Sequence, residues 1–216
     1  GEAVAQVPGS RVPAASLAEA LRTPLFWVFA GAGALFNLAS AGLGLFNEAI
    51  LAESGFDQTA YHRFLVVSTL AALAGQLACG WLTRRYRFQS LAFLAMAIYA
   101  VAVGAIPAIR GAVQLGVVAV LLGIAGGMII VLYFAVWSEA FGGRELGRIQ
   151  GAAQMLTVVS SAVGPLCFAE VHALTGSYAP MLYGLVPAAA FTGVVAWFVR
   201  FPAPRTGAAI PAPGGP

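Results

Sequence analysis

Apolar residues run along this chain in six long stretches, separated by short clusters of charge, glycine and proline. The stretches cover about Pro24–Phe46, Phe64–Leu82, Leu91–Ile109, Val113–Trp137, Ile149–Val171 and Tyr178–Val199. Each is close to the ~20 residues that an α-helix needs to cross a hydrocarbon core. The clearest pattern lies at residues 121–166. The run from Val117 to Trp137 carries no charge, a hairpin from Glu139 to Arg148 follows, and a second apolar run begins near Ile149. Gly142 and Gly143 break the helix there, and Arg144, Glu145 and Arg148 need water, so this hairpin cannot stay in lipid. The pattern predicts an all-α integral membrane fold with six transmembrane helices.

Polar positions inside the spans are ordered rather than scattered. In the first span, Gly33, Asn37, Ser40, Gly44 and Asn47 recur every three or four residues and share one helical face. Gln150, Gln154, Thr157 and Ser161 form a matching stripe on the fifth. Such a stripe faces protein or a water-filled path, not lipid, and both readings are open. The third and sixth spans hold little polarity beyond Tyr99 and Thr192 and read as lipid-facing. Gly123 and Gly127 give the fourth a small-residue face for close packing. Pro107, Pro165 and Pro187 fall within spans as kink sites, and Gly164-Pro165 is the hinge candidate.

Outside the spans, residues 1–15 read as a linker and 202–216 as a disordered tail rich in Pro, Gly and Ala. Ser16 and Glu19 fit a capping box ahead of a short helix, Leu17 to Arg22. The chain starts at Gly1 with no signal-peptide form, which points to part of a longer chain or a processed product.

Composition agrees with a membrane protein. Of 216 residues, 60% are hydrophobic and only 9% charged, against about 25% charged in soluble domains. All 11 basic residues are arginine, and their placement orients the helices better than it suggests nucleic acid. Arg11, Arg22, Arg84, Arg85, Arg87, Arg144, Arg148, Arg200 and Arg205 fall on one side, and only Arg63 and Arg110 on the other. Both ends are therefore expected in the cytoplasm, in a bacterial inner membrane. Cys79 and Cys167 sit inside spans and read as buried thiols.

Three stretches carry a family resemblance. Residues 16–27, from Ser16 through Arg22 and Pro24 to Trp27, are similar to a central cytoplasmic loop entering a seventh helix. Gly80-Trp-Leu-Thr-Arg84-Arg85-Tyr-Arg87 is similar to a signature loop between the second and third helices of a half. Phe141 to Gly151 is similar to the join of a tenth and eleventh helix. Over residues 16–201 the chain resembles the carboxy-terminal six-helix half of a major facilitator superfamily (MFS) transporter, nearest in type to monocarboxylate and oxalate/formate members.

The resemblance implies an inverted 3+3 repeat. The first and fourth spans would line a solute cavity, the second and fifth would flank the interface between halves, and the third and sixth would face outward. It makes Asn37, Ser40, Tyr133, Gln154 and Thr157 candidate contacts for a small solute such as a monocarboxylate. Each serves equally as a helix–helix contact. Arg84, Arg85, Glu139 and Arg144 become the candidate cytoplasmic latch, with Glu139 either pairing to Arg85 or Arg84 or simply solvated. The family pattern has an acid where Arg84 stands and a glycine where Arg87 stands. Arg63 reads as an anion attractor or an interfacial anchor, and Glu170 beside His172 as a proton-coupling pair or a solvated loop.

The expected partners are the solute, the lipid bilayer, and an amino-terminal six-helix half or a second copy. No cofactor, metal or nucleic acid is expected, and no catalytic residues. An intramembrane protease is disfavoured because GxSxG and HExxH are absent and His62 and His172 fall at loop ends. A self-paired half-transporter and a non-transporting scaffold stay as rivals.

Overall fold

The computed structural model describes residues 15–143, 145–199 and 201. The tail 202–216, the linker but for Ala15, and Arg144 and Arg200 lie outside them. Seven α-helices form among the described residues: α1 (Leu17–Leu21), α2 (Pro24–Glu53), α3 (Gln58–Leu82), α4 (Phe88–Ala105), α5 (Ala112–Phe141), α6 (Leu146–Thr175) and α7 (Ala179–Phe198). α2 to α7 are each long and apolar enough to cross a membrane.

Local chemistry sets the helix starts. Ser16 Oγ accepts from the Glu19 amide at 3.3 Å and Glu19 Oε2 accepts from the Ser16 amide at 2.7 Å, which is the capping box the spacing predicts. Thr23 caps α2 with Pro24 in its first turn. Asp57 Oδ1 accepts from the Ala60 amide at 2.9 Å and caps α3. α2 continues past Phe46 to Glu53, because polar residues extend a helix once it has left the lipid. At 30 residues it is ~45 Å long, more than a hydrocarbon core requires. Pro107 falls not inside α4 but in the 3-10 turn Ile106–Ala108 that ends it, and α7 stays helical through Pro187.

The main packing runs α2 on α6, α3 on α5 and α4 on α7, with α4 also against α5. Each of the first three pairs joins one helix of the triplet α2–α4 to one of α5–α7. Exchanging the triplets leaves the pairing unchanged, and the antiparallel sense of the triplets makes the repeat an inverted one. The outcome is a six-helix MFS-type bundle.

Small residues set how close the helices come. A Cβ on Gly123 would run into the Ser68 carbonyl and the Ala71 Cβ, and one on Gly127 into the Ala72 carbonyl. A Cβ on Gly75 would come within 2.6 Å of the Ile124 carbonyl. The α3 and α5 backbones therefore touch, as the Gly123/Gly127 spacing predicts.

α4 is packed more deeply within this bundle than α3 or α6. Half of its membrane window, 50%, is buried inside the bundle, against 17% for α3 and 22% for α6. Ala92, Ala95, Ala100 and Ala102 let it press against α5 and α7, and only one face, with Phe93, Leu94 and Val101, is exposed. α3 and α6 present the most open apolar surface.

Candidate solute-facing site

Three helices meet where α2 has no side chain. Gly33 is buried, and a Cβ there would overlap the Tyr133 ring from α5 and come within 3.4 Å of the Thr157 methyl from α6. One turn on, Asn37 is half-buried and its Nδ2 donates to the Gly33 carbonyl at 2.9 Å. Thr157 is 1% exposed, and its Oγ1 donates back to the Gln154 carbonyl at 2.8 Å. The Tyr133 ring is 7% exposed. Its hydroxyl lies beside Thr157 but outside hydrogen-bond geometry, so it has no partner. These groups lie eight to thirteen residues in from the arginine-rich ends of their helices, ~12–20 Å deep.

Of the five candidate contacts, Tyr133 and Thr157 meet at Gly33, and Asn37 lies one turn on along α2, bonded to the Gly33 carbonyl. Ser40 does not join them: it lies on α2 beside the Tyr99 hydroxyl of α4, again without hydrogen-bond geometry. Gln154 stands on the exposed face of α6, with only its carbonyl engaged. The sequence reading missed Trp137. Its ring is fully buried, packed edge-on to Tyr133 at 5.6 Å between centroids and tilted on Phe26 at 5.5 Å. Its Nε1 has no acceptor. A buried tryptophan four residues from Tyr133 on an apolar helix gave no polar signal to find it by. A narrow apolar cavity of about 30 Å³ lies against Gly33 and Tyr133, bounded by Phe29, Met96 and Ala196. That is room for about one water.

Neither hinge residue interrupts α6, which is helical from Leu146 to Thr175. Gly164 is a packing glycine, since a Cβ there would strike the Leu38 carbonyl. Pro165 removes one amide donor without ending the helix.

At the arginine-rich end, Arg84, Arg85 and Glu139 are all exposed. Among the described residues the ion pairs are Arg148–Glu145 and His172–Glu53, so Glu139 pairs with neither Arg84 nor Arg85 in this conformation. Arg144 is outside the described residues. Glu145, which the sequence reading passed over, carries the contact instead. Its Oε2 accepts from the Leu17 amide at 2.9 Å and meets Arg148 Nη1 at 3.3 Å. Beside it the Ala15 amide donates to the Phe141 carbonyl at 3.1 Å. α1 is thereby pinned under the α5–α6 connection. At the opposite end His172 pairs with Glu53, not with its neighbour Glu170, and Arg63 borders a cavity of about 380 Å³ beside Asp57 and Thr59.

Comparison with known proteins agrees with this geometry. The chain is similar, at 30% identity over 132 residues, to the "Uncharacterized 38 kDa protein in 23S RNA operon" of Thermoproteus tenax. The overlap is 61% of this chain and 33% of that protein, so the match spans about a third of that relative's length. Residues 29–216 match the Major Facilitator Superfamily. With six apolar helices paired across two antiparallel triplets, the chain is an integral membrane protein that belongs to the Major Facilitator Superfamily of transporters.

Proposed function

We propose that this bundle is one half of a secondary transporter that moves a small organic anion by alternating access. The observation that supports it most is the meeting of Tyr133 and Thr157 at Gly33, one turn from Asn37, with the Tyr133 hydroxyl buried and unpaired. A buried polar group left without a partner costs about 1–3 kcal/mol. A solute that accepts a hydrogen bond there would recover that energy.

Six helices form one wall of a path. The apolar faces of α3 (Leu70, Leu73, Leu77) and α6 (Met155, Val159, Leu166) are exposed, and they suit a second six-helix unit. That unit is an amino-terminal half of the same protein or a second copy. Arg84, Arg85, Arg87 and Arg148 at one end, against Glu48, Glu53 and Asp57 at the other, favour the arginine-rich end as cytoplasmic in a bacterial inner membrane. The anion, a monocarboxylate, is read from the resemblance of residues 141–151. The wall itself offers hydrogen bonds but no charge, so the countercharge falls to the facing unit.

The test is uptake of radiolabelled lactate by the full-length protein in proteoliposomes. Saturable uptake that Asn37→Ala lowers about tenfold in kcat/KM is expected. Uptake of a neutral solute that monocarboxylates do not compete with would remove the anion assignment.

A further inference from the structure

We propose that the groove between α4 and α7 binds one anionic phospholipid, which lays an acyl chain along it and its phosphate against Arg87. The site is separate from the solute-facing one, and the proposal does not depend on what the bundle transports.

The groove follows from where these two helices carry small residues. They touch at two glycines: a Cβ on Gly193 would come within 3.0 Å of the Met96 Cβ, and one on Gly104 within 2.9 Å of Val186 Cγ2. Between these contacts, Ala97 on α4 and Ala190 on α7 border a cavity of about 560 Å³. Val101 and Val194 on its rim are exposed, so it opens to the outside of the bundle. None of the residues that line it has a polar side chain. Empty space beside packed apolar groups forfeits dispersion contacts, so the groove favours an apolar occupant. From Phe93 to Gly104 it runs ~16 Å along α4, about half of a ~30 Å hydrocarbon core. That is the reach of one acyl chain, not of a further transmembrane helix. The faces that suit a second six-helix unit lie elsewhere, on α3 and α6.

The arginine-rich end of the groove sets the headgroup. Phe93 of α4 and Trp197 of α7 pack edge to face there, with centroids 5.4 Å apart. Beyond them Gln89 Nε2 donates to the Val199 carbonyl at 3.3 Å and ties the start of α4 to the end of α7. Trp197 is 50% exposed, as suits an aromatic ring at a membrane–water interface. Arg87 precedes the first residue of α4 and lies ~9 Å farther out than Phe93. It is exposed, as are Arg84 and Arg85, and none of the three is in an ion pair among the described residues. A chain that leaves the groove past the Phe93–Trp197 pair brings its phosphate to Arg87, whose guanidinium suits phosphate oxygens. The opposite end is less favourable, because Arg110 there borders a cavity with Glu53, and that carboxylate repels an anion.

Native mass spectrometry of the full-length protein reads the site. The protein is extracted in a mild detergent and mixed with phosphatidylglycerol or phosphatidylcholine of the same acyl chains. One phosphatidylglycerol held per copy, about fivefold more than phosphatidylcholine, is expected from one basic residue at an anionic headgroup. Arg87→Gln should bring the two headgroups level while leaving the groove intact. Ala97→Leu with Ala190→Leu fills the groove from both walls and should release the lipid whatever its headgroup. Neither alanine is buried, so the added carbons enter the groove and not the core. Equal retention of the two lipids by the parent protein overturns the proposal. So does a phosphatidylglycerol preference that survives the two leucines or Arg87→Gln, because the lipid is then held elsewhere. A dimer that the two leucines split would give the groove to a second copy and overturn it as well. The lipid count needs no transport, so the lactate assay can fail without touching it.

Discussion

The inverted repeat relates the α3–α5 pair to the α6–α2 pair, yet the two interfaces are built differently. α3 and α5 meet backbone to backbone at Gly75, Gly123 and Gly127, with only a long thiol contact, Cys79 Sγ to the Met128 carbonyl at 3.8 Å, as polar punctuation. α2 and α6 share one such contact, at Gly164 against Leu38. At Gly42 the notch receives the Phe168 ring of α6, and the neighbouring notch at Gly33 receives the Tyr133 ring of α5. A backbone contact has no alternative arrangement, whereas a ring in a notch can rotate away. The α2–α6 side also carries Asn37, Thr157, Pro165 and the Glu53–His172 pair. Similar topology has produced one seam of backbone contacts and one in which side chains fill most of the notches.

The sharpest way to break this contrast is to add a side chain to the backbone seam. Gly127→Leu drives atoms into the Ala72 carbonyl of α3, where neither backbone can yield. Overpacking of this kind costs about 3 kcal/mol, the upper part of its usual range. The variant should lose most monodisperse protein in size-exclusion chromatography after extraction. A well-behaved Gly127→Leu protein would show that the backbones can part there.

Next in size is Gly33→Ala, which meets a ring rather than a backbone. The expected loss is about 1–2 kcal/mol, read as a lower thermal midpoint in detergent. Tyr133→Leu, introduced with it, should restore part of that loss, since contacting residues do not add. Strict additivity would mean the ring does not occupy the notch.

Smaller again is Glu145→Gln. It removes the charge from the Leu17 contact and the pair with Arg148, whose side chain is 69% exposed, and exposed pairs are worth about 0.2–1 kcal/mol. Trypsin should cut faster at Arg22 with no change in the thermal midpoint of the bundle. An unchanged cutting rate would mean α1 is held by other contacts, Trp27 Nε1 to the Leu21 carbonyl at 2.8 Å among them.

How much of this was legible before the fold was known depends on the range of each signal. The six spans and the capping box are local, and the Gly123/Gly127 face follows from helical period alone. Asn37 and Thr157 were legible as members of stripes, because a polar side chain in an apolar span has few places to go. Gln154 shared the spacing but not the burial, since a stripe fixes a face only to within the width of one residue. Glu53 and Glu145 were hidden for a different reason: their partners lie more than a hundred residues away in sequence. The extent of α4's packing was not legible, because alanine serves lipid and helix contacts equally well, and only the neighbours decide.

Tyr133→Phe separates packing from solute binding at the Gly33 notch most finely. The hydroxyl has no hydrogen-bond partner in this conformation, so removing it deletes an unsatisfied buried group and keeps the ring in the Gly33 notch. The thermal midpoint should stay within the equivalent of about 0.5 kcal/mol or rise slightly. Trp137→Phe tests the same logic one turn away but changes ring size, so its packing loss would blur the result. If the hydroxyl serves only packing, transport by Tyr133→Phe should match the parent. If it donates to the solute, kcat/KM should fall about tenfold while stability does not. A joint fall in midpoint and transport would instead assign the hydroxyl to the fold, and with it Thr157 as its partner in another conformation.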